Sequence, residues 1–326
     1  MENQIFIGID VSSATLDICI KSAKDQTSLV ISNTVKDIRK FFLGYNQEQL
    51  IVAMENTGRY NWMLYAVLSG LRHKVFVISP LHLKRSMGLH RGKNDKIDAI
   101  RITSFIEKNH TELKIWECPA VAITKLKVLL TERNSRIKMK RQLMKQQRDY
   151  AKMAHLRLDK SLLKLNKQLL QQMDKQIITL ELEIQKAINE DKDLKTQASL
   201  VQSVPGVGKV LSWIILAKTE GFKQITDPRK MACYSGVVPF DNQSGTSLRG
   251  KTRVSVYADK YIKSILHLAA MSAIRLENDL RQYYLRKVGE GKNKMSVLNA
   301  VRNKILHRIY AVIRNQKEYQ KALQMS

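Results

Sequence analysis

The first part of the chain alternates short apolar runs with polar turns. Ile5-Phe6-Ile7-Gly8-Ile9 reads as a buried strand, and after a polar turn Leu16-Asp17-Ile18-Cys19-Ile20 alternates with period two. A third strand is predicted near Ser28–Ser32. Leu50-Ile51-Val52-Ala53-Met54 and Lys74-Val75-Phe76-Val77-Ile78 give two further buried runs. Between these last two, Tyr60 to Leu71 carries apolar residues at helical spacing, and another helix is predicted to begin near Asp95. Three strands in a meander, then helices alternating with strands, predict an α/β domain over residues 1–115.

The pattern then changes. From Ala120 to Val204 there is neither Gly nor Pro, so the segment 116–200 reads as long helix. Unbroken, it would run to roughly 120 Å at ~1.5 Å per residue, so a break is expected, near Asp159-Lys160-Ser161. Beyond it, Leu163, Asn166, Leu170, Met173, Ile177, Leu180, Ile184 and Ala187 follow a 3-4 alternation. That is the seam of a coiled coil with one polar position, Asn166, or the buried stripe of an amphipathic helix. A mainly α region over 201–326 starts at Val204-Pro205-Gly206-Val207-Gly208-Lys209 and continues as helix to about Lys218. A turn-rich loop from Gly236 to Gly250 follows, and then basic helices from about Asp259.

Composition adds a partner. Apolar residues make up 44% of the 326, enough to fold most of the chain, yet 56 Lys and Arg stand against 29 Asp and Glu, a formal charge of +27. Self-repulsion on that scale calls for a polyanion, and nucleic acid is the usual one. A basic membrane-surface protein is the alternative, but no apolar run nears the ~18 residues of a span and no signal peptide is visible. Cys19, Cys118 and Cys233 are scattered singly, which excludes a disulfide framework or zinc cluster and fits a reducing, cytoplasmic setting. Between Lys125 and Lys175, fifteen basic residues face four acidic ones. A solvated face needs no such bias, so Arg133, Arg136, Lys140 and Arg141 are candidate nucleic-acid contacts.

The strand order is that of a ribonuclease-H-like domain, in which the first and fourth strands lie side by side. Asp10 ends the first run and Glu55 ends the fourth, so the two carboxylates are expected at one edge. Asp95 and Asp98, three apart at a helix start, share a face. Four acids at one place repel each other unless cations are present, and two Mg²⁺ or Mn²⁺ ions about 3.5–4 Å apart are the natural occupants. Each acid also has a plain reading: an Asp after a strand is a turn residue, and Asp95 can cap its helix. Asp17 is set aside as lying on the polar face of the second strand.

Gly8-Ile9-Asp10-Val11-Ser12, Glu55-Asn56-Thr57-Gly58-Arg59-Tyr60 and Lys93-Asn94-Asp95-Lys96-Ile97-Asp98-Ala99 resemble the three acidic motifs of the DEDD-type insertion-sequence transposases. These are prokaryotic recombinases with a RuvC-like domain, some of them guided by a bridge RNA. The resemblance covers nearly the whole chain. It implies that Asp10, Glu55, Asp95 and Asp98 are the metal ligands and that double-stranded DNA is the substrate. It also implies a structured guide RNA and a homo-oligomer, a dimer or tetramer joined through the coiled coil. The family commonly has Thr at the position of Asn94.

Tyr234-Ser235-Gly236-Val237-Val238-Pro239 followed by Gln243-Ser244-Gly245 is similar to the family's C-terminal motif, whose serine before glycine is the nucleophile. That match makes Ser244 the candidate, with Ser235 as its competitor and Arg249, Lys251 and Arg253 within reach of phosphate oxygens. Read without the resemblance, Ser-Gly in a polar loop is a turn.

Gly245-Thr246-Ser247-Leu248-Arg249-Gly250-Lys251-Thr252 matches a nucleotide-binding P-loop by letter. It lacks the preceding buried strand and is followed by a β-like run, Arg253 to Tyr257. The turn before Lys209 resembles the hairpin of helix-hairpin-helix motifs. Lys292 and Lys294, in a basic loop, are further candidate contacts, as are Arg59 and Lys93. The reading is therefore a transposase or recombinase. A DNA invertase of the same family, a metal nuclease or junction resolvase, and a non-catalytic nucleic-acid scaffold are its rivals.

Overall fold

A computed structural model describes residues 4–45, 50–86, 94–153, 155, 159–244 and 248–320. Two compact units result, Met1–Cys118 and Pro119–Ser326.

In the first unit, strands β1 (Ile5–Val11), β2 (Thr15–Lys21) and β3 (Gln26–Ser32) form an antiparallel meander. Strand β4 (Leu50–Glu55) pairs parallel with β1 on its other side, and β5 (Lys74–Ile78) pairs parallel with β4, so the sheet order is β3-β2-β1-β4-β5. Alternation along the strands sorts the side chains. Ile7, Ile9, Val52 and Met54 face one layer, where they pack with Ile38 and Phe42 of α1 (Val35–Leu43) and Leu64 and Val67 of α2 (Trp62–Leu68). Phe6, Ile51, Ala53, Phe76 and Ile78 face the other, covered by Ile102, Phe105 and Ile106 of α4 (Asp95–Asn109) and by Leu83 of α3 (Pro80–Ser86). The five strands and α4 stand where the pattern predicts them. The short α1 and α3, which the pattern does not announce, fill the connections.

The second unit opens with α5 (Val121–Ala151), α6 (Asp159–Glu190) and α7 (Lys192–Gln202). Helix α5 has ended at Ala151 and α6 begins at Asp159, so the interruption expected near Asp159-Lys160-Ser161 precedes those residues, and a second one occurs at Asp191, whose side chain caps α7 by accepting from Asp193 N and Leu194 N. Helices α5 and α6 run antiparallel. Arg133 meets Glu181, Lys140 meets Asp174, and Asn166 Nδ2 donates to Leu143 O at 3.5 Å. The α6 seam residues Asn166, Ile184 and Ala187 are buried within this unit.

Helices α8 (Lys209–Thr219), α9 (Pro228–Tyr234), α10 (Lys260–Ala273), α11 (Asp279–Gly289) and α12 (Lys294–Asn315) enclose the second core, with Leu266, Ala270, Val301, Ile305 and Ile309 fully buried. The region expected to be a turn-rich loop instead carries two paired strands, β6 (Phe240–Ser244) and β7 (Leu248–Arg253). The β-like character assigned to 253–257 belongs one segment earlier, because Val254 and Ser255 lack ladder partners and a turn follows.

Candidate active site

Asp10, next to last in β1, and Glu55, last in β4, lie at the same end of adjacent parallel strands, one step beyond the Ile9–Met54 pair. The same alternation that places Phe6 and Gly8, or Ile51 and Ala53, toward α4 places Asp10 and Glu55 on that face. Helix α4 brings the other two acids. Its N-cap is Asn94, whose Oδ1 accepts from Lys96 N at 3.1 Å, so Asp95 does not serve as the cap. Thr at this position would also cap the helix, so the departure from the family's residue changes little. Asp95 and Asp98 head the stripe that continues into buried Ala99, Ile102 and Ile106, and so lie toward the sheet.

The approach of α4 depends on Gly8. A Cβ there would stand 2.3 Å from Thr103 Oγ1, 2.4 Å from Thr103 N and 2.5 Å from Ala99 O. Thr103, 1% exposed, donates to Ala99 O at 2.9 Å and to Cys19 O at 3.2 Å, which pins the helix across β1 and β2. Gly8→Ala must therefore push α4 and its two acids outward. The expected cost is about 2–3 kcal/mol by overpacking, read as a lowered midpoint in urea unfolding. An unchanged midpoint would show that α4 has room to give at this crossing.

The electrostatics put the acids within range of one another. The Asp10 carboxyl is raised to about 6, first by burial and then by the charges of Asp95, Asp98 and Glu55. Asp98 is held by Arg101 Nη1 at 2.7 Å. Among the described residues, however, no three His, Cys, Asp or Glu side chains are set as ligands around one point. The acids sense each other across the same end of the sheet without closing on a centre. A set made only of carboxylate oxygens, with one member driven toward its neutral form by burial and by its neighbours, fits a hard divalent cation and no softer metal.

Asp17, set aside on sequence grounds, belongs to this place. It is the direct antiparallel partner of Asp10 and therefore shares its face, and its carboxyl is raised by burial and by Asp95. Period two alone assigns it to a polar face without saying that the face is that of Asp10. Asn61 is a second residue that sequence reasoning misses. Fully buried, it donates to Glu55 O at 2.8 Å and accepts from Thr57 N at 3.0 Å, fixing the turn after β4. Arg59 stacks over the Tyr60 ring at 5.3 Å in the exposed turn that follows. Lys93 lies outside the described residues.

In the second unit Ser244 is the last residue of β6 and pairs with Leu248, the first of β7. Ser235 is fully buried at the end of α9 and donates to Met231 O at 2.8 Å, so it has no access to a DNA strand. Arg249, Lys251 and Arg253 lie on β7. A strand where a nucleotide-binding loop requires a helix leaves the P-loop likeness without its context. Gly206, at φ 82°, turns the chain between α7 and α8 so tightly against α10 that a Cβ would meet Ala269 O at 2.3 Å. Lys209 opens α8 and is exposed, as are Lys292 and Lys294 before and at the start of α12.

Three of the expected nucleic-acid contacts on α5 are otherwise engaged. Arg133 is buried and bound to Glu181, Arg136 to Glu132 and to Gln176 Oε1 at 3.2 Å, and Lys140 to Asp174. They join α5 to α6, and only Arg141 of that group faces solvent unpaired among the described residues.

Comparison with known proteins decides the class. A transposase model of the DEDD IS110 type matches residues 7–155, which contain all four acids, and the model described as "Transposase IS116/IS110/IS902 family" matches 198–285, which contain Ser244. The chain belongs to the IS110/IS116/IS902 transposases. The pilin gene-inverting protein of Moraxella bovis is 27% identical over 332 residues, covering 98% of this chain and 99% of that protein. An uncharacterized 42 kDa protein of insertion element IS900 from Mycobacterium paratuberculosis is 29% identical over 126 residues, covering 38% of this chain and 31% of its own. This transposase is accordingly an enzyme of DNA recombination. Among its described residues no helix is long and apolar enough to cross a membrane.

Proposed function

We propose that this transposase cleaves and rejoins double-stranded DNA with two sets of residues, one in each unit. Asp10, Glu55, Asp95 and Asp98 would hold divalent metal, and Ser244 would act as the nucleophile. The observation that carries the reading is the placement of Asp10 and Glu55 on the α4 side of a β3-β2-β1-β4-β5 sheet, with Asp95 and Asp98 in the first turn of that helix. That sheet order supports a ribonuclease-H-like, RuvC-like domain. Two Mg²⁺ or Mn²⁺ ions held there would supply charge stabilisation to phosphoryl oxygens. The chain's own part is to position them: Gly8 and Thr103 set the distance of α4, and Asn61 sets the backbone of Glu55. Ser244 Oγ forms a bond to phosphorus as the bond from phosphorus to the departing deoxyribose oxygen breaks, and the seryl proton ends on that oxygen. A hydroxyl of the recipient strand then displaces the serine, restoring a phosphodiester and Ser-OH.

Residues 1–115 would act as the metal-dependent domain, 116–200 as a helical coiled-coil link, and 201–326 as the serine domain. Leu165, Leu169, Ile178 and Leu182, exposed on α6, support assembly of two or four copies through that link. The basic surface supports a structured guide RNA, and the chemistry suits a prokaryotic cytoplasm. Inversion is the second reading, favoured by the full-length likeness to a pilin gene-inverting protein.

The test uses the purified chain with its co-purifying RNA, Mg²⁺ and a supercoiled plasmid carrying the DNA that flanks the gene. Recombinant joints are expected. Inverted segments alone would select the invertase, and nicked plasmid with no new joints would replace both by a nuclease.

A further inference from the structure

Helix α5 carries two separate rows of cations. The row Arg133, Arg136, Lys140 is spent on binding α6. A second row is Lys138, Arg141, Lys145, Arg148 and, at the helix C-cap, Lys152, with spacings of three, four, three and four residues. At about 100° per residue these five fall within roughly a quarter of the helix circumference, and their centre lies about 125° around from the centre of the row that meets α6. All five are exposed, and among the described residues none is in an ion pair. Asp149 flanks the far end, between Lys145 and Lys152, and offsets one of the five charges.

We infer that this ridge, resting on the proposed action on DNA, is the track on which the sugar-phosphate backbone of duplex DNA lies. The ridge spans about 21 Å of helix, with a charge every ~5–6 Å. Its cations have long flexible stems and no shared acceptor, which suits a repeating line of phosphates rather than one anion. No aromatic side chain stands in the row, so it offers no platform for the unstacked bases by which single-stranded RNA is held. The two rows also explain why the strongly basic composition of this segment does not by itself name the residues that meet DNA: part of it is internal glue.

The test is fluorescence anisotropy of the full chain with a 30-base-pair DNA duplex over 50–300 mM salt. A variant with all five changed to Gln should keep its helical circular dichroism, since Gln is a good helix former and the sites are exposed. The slope of log K against log salt should become shallower by about 0.9 for each phosphate no longer neutralised, so by at least 3 in total. Arg136→Gln with Lys140→Gln should leave the slope unchanged and lower the melting temperature. A wild-type slope in the five-fold variant overturns the inference, as does an equally shallow slope in the α6-facing pair. An effect confined to an RNA duplex of the same sequence overturns it in favour of RNA. Absence of DNA binding by the unaltered chain would instead remove the proposed function itself.

Discussion

Asp10→Asn should abolish metal-dependent strand cleavage while making the metal-free protein harder to melt. The two effects share a cause. Asp10 is raised to about 6 because burial and the charges of Asp95, Asp98 and Glu55 oppose its ionisation. In the unfolded chain it ionises near 3.8. The folded state therefore holds its proton more tightly, so this group's contribution to stability is whole below about 3.8 and is lost as pH rises to about 6. Without cations, wild-type protein should melt progressively lower across that window, and Asp17 adds to the trend in the same direction. Asn keeps the shape and removes the charge, so Asp10→Asn should flatten the profile and melt higher than wild type in EDTA at pH 7–8. Added Mg²⁺ should raise the wild-type melting temperature by mass action and leave the variant's unmoved. Cleavage should fall by about 10³-fold or more, the equivalent of roughly 4 kcal/mol of transition-state stabilisation. Equal melting of both proteins in EDTA would show that the acids do not strain one another.

Ser244→Ala should remove every covalent protein–DNA adduct and all strand joining while leaving cation binding intact. Under the proposed function this hydroxyl takes up the phosphate, and alanine removes it. The closest rival in the motif, Ser235, is buried and bound to Met231 O and Ala232 O. Ser235→Ala should therefore cost about 1 kcal/mol of stability from lost hydrogen bonds and keep the adduct. Trapping on a denaturing gel, followed by mass spectrometry of the phosphorylated peptide, reads both variants. An adduct that survives Ser244→Ala would assign the nucleophile elsewhere, and nicking that survives without joining would leave a nuclease.

How much of the molecule is legible from residues alone depends on how local the cause is. The five strands and the position of Asp10 and Glu55 near two strand ends are, because period two and strand ends are written into consecutive residues such as Ile7-Gly8-Ile9-Asp10. The pairing of Asp10 with Asp17 is not, because it depends on the register of two strands, which the turn between them sets. Gly8 looks like part of a motif, and only the packed helix shows that its missing side chain admits Thr103. The row of cations on α5 is visible as bias. Its division into Arg133, Arg136 and Lys140 for α6 and Lys138, Arg141 and Lys145 for solvent needs the partner helix to be placed. The strand pair carrying Ser244 escapes because Asp241-Asn242-Gln243 and Gly250 have poor strand propensity, and pairing between the two arms overrides it.

Manganese titration followed by electron paramagnetic resonance tests the central claim most directly. Two Mn²⁺ per chain, close enough for their spins to couple and both lost in Asp10→Asn, are the predicted result. Wild-type protein that binds no Mn²⁺, or binding that Asp10→Asn leaves unchanged, would contradict it.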